Sequence, residues 1–452
     1  MGHYFGTDGI RGCYGEAPMT DLIAHRIALA LSSQLEASAT VVIGRDTRAS
    51  GQTLQNIMRT GFEARGHKVI ALGVVPTPAV AMAVTHFKAT MGIALTASHN
   101  PASDNGIKLF NEIGQKLKPE EEQDIESLLE AELSSPKNFK TSAYDPEKIN
   151  FETHAQDEVD FYIKKLSEQM SKGSLSGIKV VLDCANGATY LTSPTVLSYF
   201  GAELILIGNE PDGSNINLGL GSESPEALAK TVLKTGADIG IAHDGDGDRL
   251  VVCDERGTIV DGDQLLGIYA LEALKSDSLK AKTLVVTVQS NLALDFAVKA
   301  AGGSVKRVDV GDRNVALAMR ELGSNIGGES SGHILFTDYA PTGDGLLAAI
   351  QLLKILQASG EPLSKLSHPI QRFPQKTQNL IVKEKIPLEA LPKLSEAKAK
   401  VEEKLGDEGR VLIRYSGTES KLRLLVEAKT QAEVEASMQI ILTAAHHSLS
   451  IV

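Results

Sequence analysis

Met91-Gly92-Ile93-Ala94-Leu95-Thr96-Ala97-Ser98-His99-Asn100-Pro101 passes from an unbroken apolar run into a polar loop. The run has the length and composition of a buried strand, which places Ser98 just past a strand's carboxyl end. Open α/β sheets bind ligands in the crevice outside those ends. A hydroxyl there faces chemistry rather than packing, with a serine that merely caps a turn as the competing reading.

Working outward, the same unit recurs: a β-branched strand, a polar turn, a helical stretch, a further strand and then a loop. The copies run from Thr40-Val41-Val42-Ile43 to Ser98, from Lys179-Val180-Val181-Leu182 to Asp244, and from Thr283-Leu284-Val285-Val286 to Glu329. Strands alternating with helices pair in parallel through right-handed crossovers. A chain of 452 residues also exceeds what one core organises. The expected fold class is therefore α/β, with three related mixed-sheet domains and a smaller C-terminal α+β domain around a central cleft. The expected domains span 1–150, 151–253, 254–370 and 371–452, with a Ser/Lys/Asn/Pro-rich linker from Ser134 to Asn150 and a boundary near Pro369 to Gln378. Thr20 precedes an apolar helical face at Leu22, Ile23, Ile27, Ala30 and Leu31, and Pro225 opens another helix.

A formal net charge of −12 argues against a nucleic-acid partner, because phosphate-backbone affinity needs a basic face. The absence of tryptophan removes a stacking platform for single strands. No apolar run has membrane-spanning length and no signal pattern opens the chain, so no membrane partner and a cytoplasmic location are expected. Cys13, Cys184 and Cys253 form no CxxC pair, so neither disulfides nor zinc are expected. An anionic small molecule would need a local concentration of basic groups. Arg11, Arg45, Lys108, Arg249, Arg313, Arg414 and Arg423 all lie in or near Gly/Asp-rich loops.

Those loops carry the chemistry. In Asp244-Gly245-Asp246-Gly247-Asp248-Arg249 the aspartates alternate along an extended segment and share one side. Three carboxylates suit a hard dication such as magnesium. An EF-hand is excluded because Arg249 stands at the sixth position in place of glycine and both flanks read as strands; an acidic turn without metal remains the alternative. Arg414-Tyr415-Ser416-Gly417-Thr418 offers a guanidinium, hydroxyls and glycine-loosened amides, as in an anion-binding nest, with Arg423 on the next strand. Glu329, Ser331 and His333 could read sugar hydroxyls, and Thr7-Asp8-Gly9-Ile10-Arg11-Gly12 brings an arginine beside two glycines. Each has a plain turn or a satisfied buried group as its competing reading. A hydroxyl, a carboxylate cluster, a hydroxyl-reading loop and a phosphate cradle together point to phosphoryl transfer on a sugar.

Taken in order, these segments resemble the α-D-phosphohexomutase superfamily over essentially the whole chain. Tyr4 to Gly12 and Gly327-Gly328-Glu329-Ser330-Ser331-Gly332-His333 look most like its glucosamine-phosphate branch. The resemblance implies interconversion of glucosamine 6-phosphate and glucosamine 1-phosphate for UDP-N-acetylglucosamine and peptidoglycan precursor synthesis. It implies that Ser98 carries the phosphoryl group and passes it through a bisphosphate sugar, which serves as intermediate and activator. One magnesium ion per site would be held by Asp244, Asp246, Asp248 and a phosphate oxygen on Ser98. Arg11, Lys108 and His333 would stand near the reacting hydroxyl in catalytic roles, with acid and base unassigned. Thr7, His99, Arg249, Glu329, Ser331, Arg414, Ser416, Gly417, Thr418 and Arg423 would bind the hexosamine phosphate. A homodimer and an activating kinase are candidate partners. Tyr415, Ser420, Ser330 and Asn314 depart from the superfamily's usual residues; Tyr415 and Ser420 could loosen the phosphate loop, and Ser330 leaves the sugar preference open. Competing readings are a phosphoglucomutase or phosphomannomutase on the same scaffold, a metal-dependent phosphatase, and a non-catalytic sugar-phosphate-binding regulator.

Overall fold

Each β-branched run becomes the inner strand of a sheet. The computed structural model of the chain describes residues 4–6, 8–134, 155–416 and 420–451. Its first sheet contains β1 (Ile10–Cys13), β2 (Thr40–Arg45), β3 (Lys68–Val74), β4 (Met91–Leu95) and β5 (Asp104–Phe110), in the order β1-β5-β4-β2-β3. The second holds β6 (Lys179–Asp183), β7 (Glu203–Ile207), β8 (Ile239–Ala242), β9 (Val251–Cys253) and β10 (Ile259–Val260), ordered β10-β9-β8-β6-β7. The third holds β11 (Thr283–Thr287), β12 (Ser304–Val308), β13 (Ile326–Gly328) and β14 (Ile334–Phe336), ordered β12-β11-β13-β14.

The three sheets share one plan. β2, β6 and β11 each pair in parallel with a neighbour on both sides. The sheets are mixed, as expected, because β5, β9 and β14 run antiparallel to β4, β8 and β13. The cause is loop length. A parallel crossover takes about a dozen residues or more, and the links holding Ser98, Asp244–Arg249 and Glu329–His333 are shorter than that. Each motif therefore sits in a tight reversal at the same edge of its sheet.

A continuous apolar core joins all three sheets, running from Val42, Val80 and Phe110 through Leu182 and Ile241 to Leu284, Leu346 and Ile350. Helix Ala155–Ser167 lies between them, and its buried Tyr162 hydroxyl donates to Asp344, the cap of helix Gly345–Ser359, at 3.1 Å. The opposite face of the first sheet packs a second cluster around Ile27, Ile43 and Phe62.

The C-terminal sheet is built from β15 (Gln375–Ile381), β16 (Gly409–Tyr415) and β17 (Lys421–Ala428), all antiparallel in the order β15-β17-β16. Helices Pro392–Leu405 and Gln431–Ser448 cover it and enclose a separate core of Leu380, Leu422, Leu424 and Ile441. Its joint to the third sheet is polar. Asn291 Nδ2 donates to Phe373 O at 3.1 Å and to the buried Glu427 at 2.9 Å, and Arg410 donates to Ser290 O at 2.5 Å. Beyond Ser134 the expected linker falls outside the described residues, and among those residues no helix is long and apolar enough to cross a membrane.

Candidate active site

Ser98 is buried and held at φ 54°, a left-handed conformation rare for a residue with a side chain. Its N–H donates to Thr96 Oγ1 at 2.9 Å, and its hydroxyl donates to Asp244 Oδ2 at 2.6 Å. His99 Nδ1 lies 3.3 Å from the same hydroxyl, and burial lowers the His99 imidazole pKa.

The aspartate loop is pinned from both sides. Thr77, on the first sheet's side, donates through its hydroxyl to Asp246 Oδ2 at 2.6 Å and through its N–H to Asp246 O at 2.9 Å. On the third sheet's side, Leu250 N–H donates to Gly332 O at 2.9 Å and Gly345 N–H to Gly247 O at 3.0 Å. The ligand atoms of Asp244, Asp246 and Asp248 lie within 4.8 Å of one another. Burial, followed by the charges of Asp246 and Asp248, pushes the Asp244 carboxyl up to about 8. Asp246 Oδ1 and Asp248 Oδ1 are buried with no hydrogen-bond partner among the described residues. Orphaned hard oxygens on a compact carboxylate set are what a divalent cation satisfies, so these residues fit magnesium.

A ring of alternating charge forms the floor of the cleft. Lys108 Nζ lies 2.7 Å from Asp246, 2.9 Å from Asp248 and 3.1 Å from Asp8. Asp8 meets Lys116 at 2.5 Å, Lys116 meets Asp312 at 2.6 Å, Asp312 meets His333 at 3.2 Å, and His333 returns to Asp248 at 3.6 Å. Arg11 joins through Asp8 and reaches Ala97 O at 3.4 Å. Burial opposes charge on His333, but Asp312 and Asp248 outweigh it and raise the imidazole to about 10. Burial likewise pushes Asp248 upward, while Lys108 and His333 hold it well below the ordinary carboxylate range. Above the ring opens a cavity of about 550 Å³, lined by Ser98, Arg11, Lys116, Arg249, Glu329 and His333 among others. Glu329 Oε1 accepts Gly311 N–H at 2.9 Å, and Arg249 donates to Glu223 at 2.9 Å.

Residues 2–135, 160–257, 261–373 and 378–444 match, in order, the families described as phosphoglucomutase/phosphomannomutase domains I, II, III and the C-terminal domain. The chain is 44% identical over 435 residues to a phosphoglucosamine mutase of Nitratidesulfovibrio vulgaris, covering 95% of this chain and 96% of that one. A phosphoglucosamine mutase of Pelobacter propionicus is also 44% identical, over 96% of each chain. The chain belongs to the α-D-phosphohexomutase superfamily. Its fold is that of a phosphoglucomutase/phosphomannomutase family protein from Burkholderia thailandensis, with a TM-score of 0.80 over 98% of each chain at 24% identity. The open form of the Paramecium phosphoglucomutase parafusin aligns with a TM-score of 0.75 at 16% identity, over 99% of this chain and 95% of that one.

Against this superfamily's four-domain plan, the structure gathers Ser98, His99, Arg11, Asp248, Arg249, Glu329 and His333 around one cavity, with Asp244, Asp246 and Lys108 beneath it. Ser331 lies on the turn between β13 and β14 but not in the cavity wall. Arg414 and Ser416 close β16 rather than lining the cavity; Arg414 sits opposite Arg423 across the β16–β17 pair, and Arg423 donates to Ser416 Oγ at 3.4 Å. Burial and then Arg423 lower the Arg414 guanidinium, and Asp309 of the third unit opposes them. Thr7, Gly417 and Thr418 lie outside the described residues. Arg45 turns to Gln52 and Arg313 to Leu117 O and Glu122, away from the cavity. The sequence reading did not single out Thr77, Lys116, Asp312 or Arg48. Arg48 follows β2 at the edge that made Ser98 conspicuous, so the same strand-end argument would have reached it.

Proposed function

We propose that the protein interconverts glucosamine 6-phosphate and glucosamine 1-phosphate through a phosphorylated Ser98. The observation that carries this reading is the Ser98 hydroxyl bonded to Asp244 at the edge of the cavity, in a chain whose 44%-identical relatives are phosphoglucosamine mutases. The P–O bond to Ser98 breaks as the free sugar hydroxyl forms its own, giving a bisphosphate. That intermediate turns end for end and returns its other phosphoryl group to Ser98. Arg11, Lys108 and His333 supply positive charge where the transferring oxygens pass. Asp244, Asp246, Asp248 and a phosphate oxygen on Ser98 would hold magnesium, which when bound neutralises charge on the phosphoryl group. Glu329 and Ser331 would read the sugar, and Arg249 with the Arg414–Arg423 loop would receive the non-reacting phosphate. A bisphosphate sugar or a kinase would charge Ser98 initially.

The test is magnesium-dependent turnover of glucosamine 6-phosphate, glucose 1-phosphate and mannose 1-phosphate, primed with a bisphosphate sugar and controlled by Ser98→Ala. Preference for the amino sugar, lost in the variant, is the expected result. Preference for a neutral hexose would overturn the substrate, and stoichiometric release of inorganic phosphate would replace the mutase with a phosphatase.

A further inference from the structure

Ser98 keeps a left-handed backbone conformation, which persists only where its surroundings over-determine it. Behind it stands a guanidinium that does not itself line the cavity. Arg48, with its side chain fully buried, donates to the carbonyls of Ser98 at 2.9 Å, Asn100 at 2.8 Å, Asp104 at 2.9 Å and also Pro101. Its Nε donates to Asp46 at 2.8 Å. Asp46 also accepts from Thr96 Oγ1 at 2.6 Å, and Thr96 Oγ1 in turn accepts the Ser98 N–H. Both backbone groups of Ser98 therefore end on one buried ion pair.

A second donor reaches the same carbonyls from the second sheet's unit. Asn217 Nδ2 donates to Ser98 O at 2.9 Å and to Asn100 O at 3.1 Å, while its own N–H is anchored on Ala185 O at 2.8 Å. Gly245, inside the aspartate loop, packs against this junction so closely that a Cβ would stand 2.6 Å from Ser98 O and 2.8 Å from Asn217 Nδ2. The Ser98 carbonyl is thus the point at which the serine loop and the aspartate loop are brought into register.

We infer that Asn217, acting with Arg48, is a positioning residue that sets the Ser98 hydroxyl against the aspartate loop for phosphoryl transfer. The inference rests on the proposed phosphoserine reaction and adds a residue to it. Asn217 is only partly buried and sits at φ 60°, so a replacement that accepts left-handed backbone can be tested there, whereas Arg48 is buried and its loss would threaten the fold. Asn217→Asp is the informative change. Aspartate keeps the shape and adopts left-handed backbone readily, but it places an acceptor against two carbonyls where a donor stood.

The experiment follows transfer of labelled phosphate from a hexosamine bisphosphate to Ser98 in single turnovers, alongside steady-state kcat and KM and the melting temperature. For Asn217→Asp, transfer and kcat are expected to fall on the order of 10²-fold, with the melting temperature held. Asn217→Ala should fall about 10-fold, because it removes the donor without adding repulsion. KM in Asn217→Ala should stay near wild type. A residue that merely packs would give the reverse order, with the isosteric aspartate milder than alanine, and that ranking or wild-type transfer in Asn217→Asp would overturn the inference. Failure of wild-type protein to label Ser98 would instead overturn the phosphoserine reaction itself.

Discussion

The Ser98 hydroxyl and the Asp244 carboxylate meet at 2.6 Å across the junction of the first and second sheets. Neither sheet alone assembles a reactive centre. The serine arrives on the reversal after β4, and the aspartate on the equivalent reversal after β8. Magnesium binding to Asp244, Asp246 and Asp248 should therefore stabilise the folded chain by mass action. Millimolar magnesium is expected to raise the melting temperature of wild type and to leave an Asp244→Asn, Asp248→Asn double variant unmoved. An equal rise in both proteins would place the ion elsewhere.

Lys108 stands between three carboxylates with 1% of its side chain exposed. Lys108→Met would leave Asp8, Asp246 and Asp248 facing one another, and removing one partner from a buried ionic cluster costs about 3–5 kcal/mol. We expect a lower melting temperature, partly recovered by magnesium because a dication replaces the lost charge. We also expect kcat to fall on the order of 10²–10³-fold, the scale of one lost transition-state contact. Thermal scans with and without magnesium, together with steady-state kinetics, check both.

Arg414 and Arg423 oppose each other across β16–β17, and like charges directly opposite in a sheet are destabilising. The proposed reading directs the non-reacting phosphate to this pair. Arg414→Met should raise KM for a sugar phosphate roughly 10- to 100-fold through one lost charged hydrogen bond, with the melting temperature unchanged or higher. A KM equal to wild type would remove this end of the C-terminal sheet from the substrate site.

Asp344 is buried, accepts Leu347 N–H at 3.0 Å, and has its carboxyl pushed by burial from 3.8 to about 6. Between those values the unfolded chain has released this proton while the folded chain retains it. The group's contribution to stability is therefore complete at low pH, declines as pH rises from about 4 to 6, and is level above. Asp344→Asn keeps an oxygen for Leu347 and cannot ionise. Its melting temperature should fall less with rising pH over that window than that of wild type, and parallel curves would reject the assignment.

Much of the site was legible in the sequence because its residues occupy turns directly after apolar strands, where local pattern alone gives position. Ser98, the three aspartates, Glu329 and His333 all belong to that class. The direction of the return strands was less visible, since nothing in a segment such as Asn105 to Phe110 sets it until loop length is weighed. Lys116 and Asp312 carry no local signature. They matter because two units distant in sequence bring them to 2.6 Å. The same holds for Asn217, whose partners Ser98 and Asn100 lie on another unit.

The apolar core that runs without interruption through the first three sheets bears on how the molecule comes apart. Each of those three units keeps an apolar cluster of its own on one sheet face but shares the interior on the other, so a segment cut out at a unit boundary would expose its half of that shared interior and should not survive as a soluble fragment. The C-terminal sheet and its two helices enclose their own core and meet the rest through side-chain amides, carboxylates and guanidinium groups. Heating should accordingly melt the molecule in two steps of unequal enthalpy, the smaller belonging to residues after Phe373.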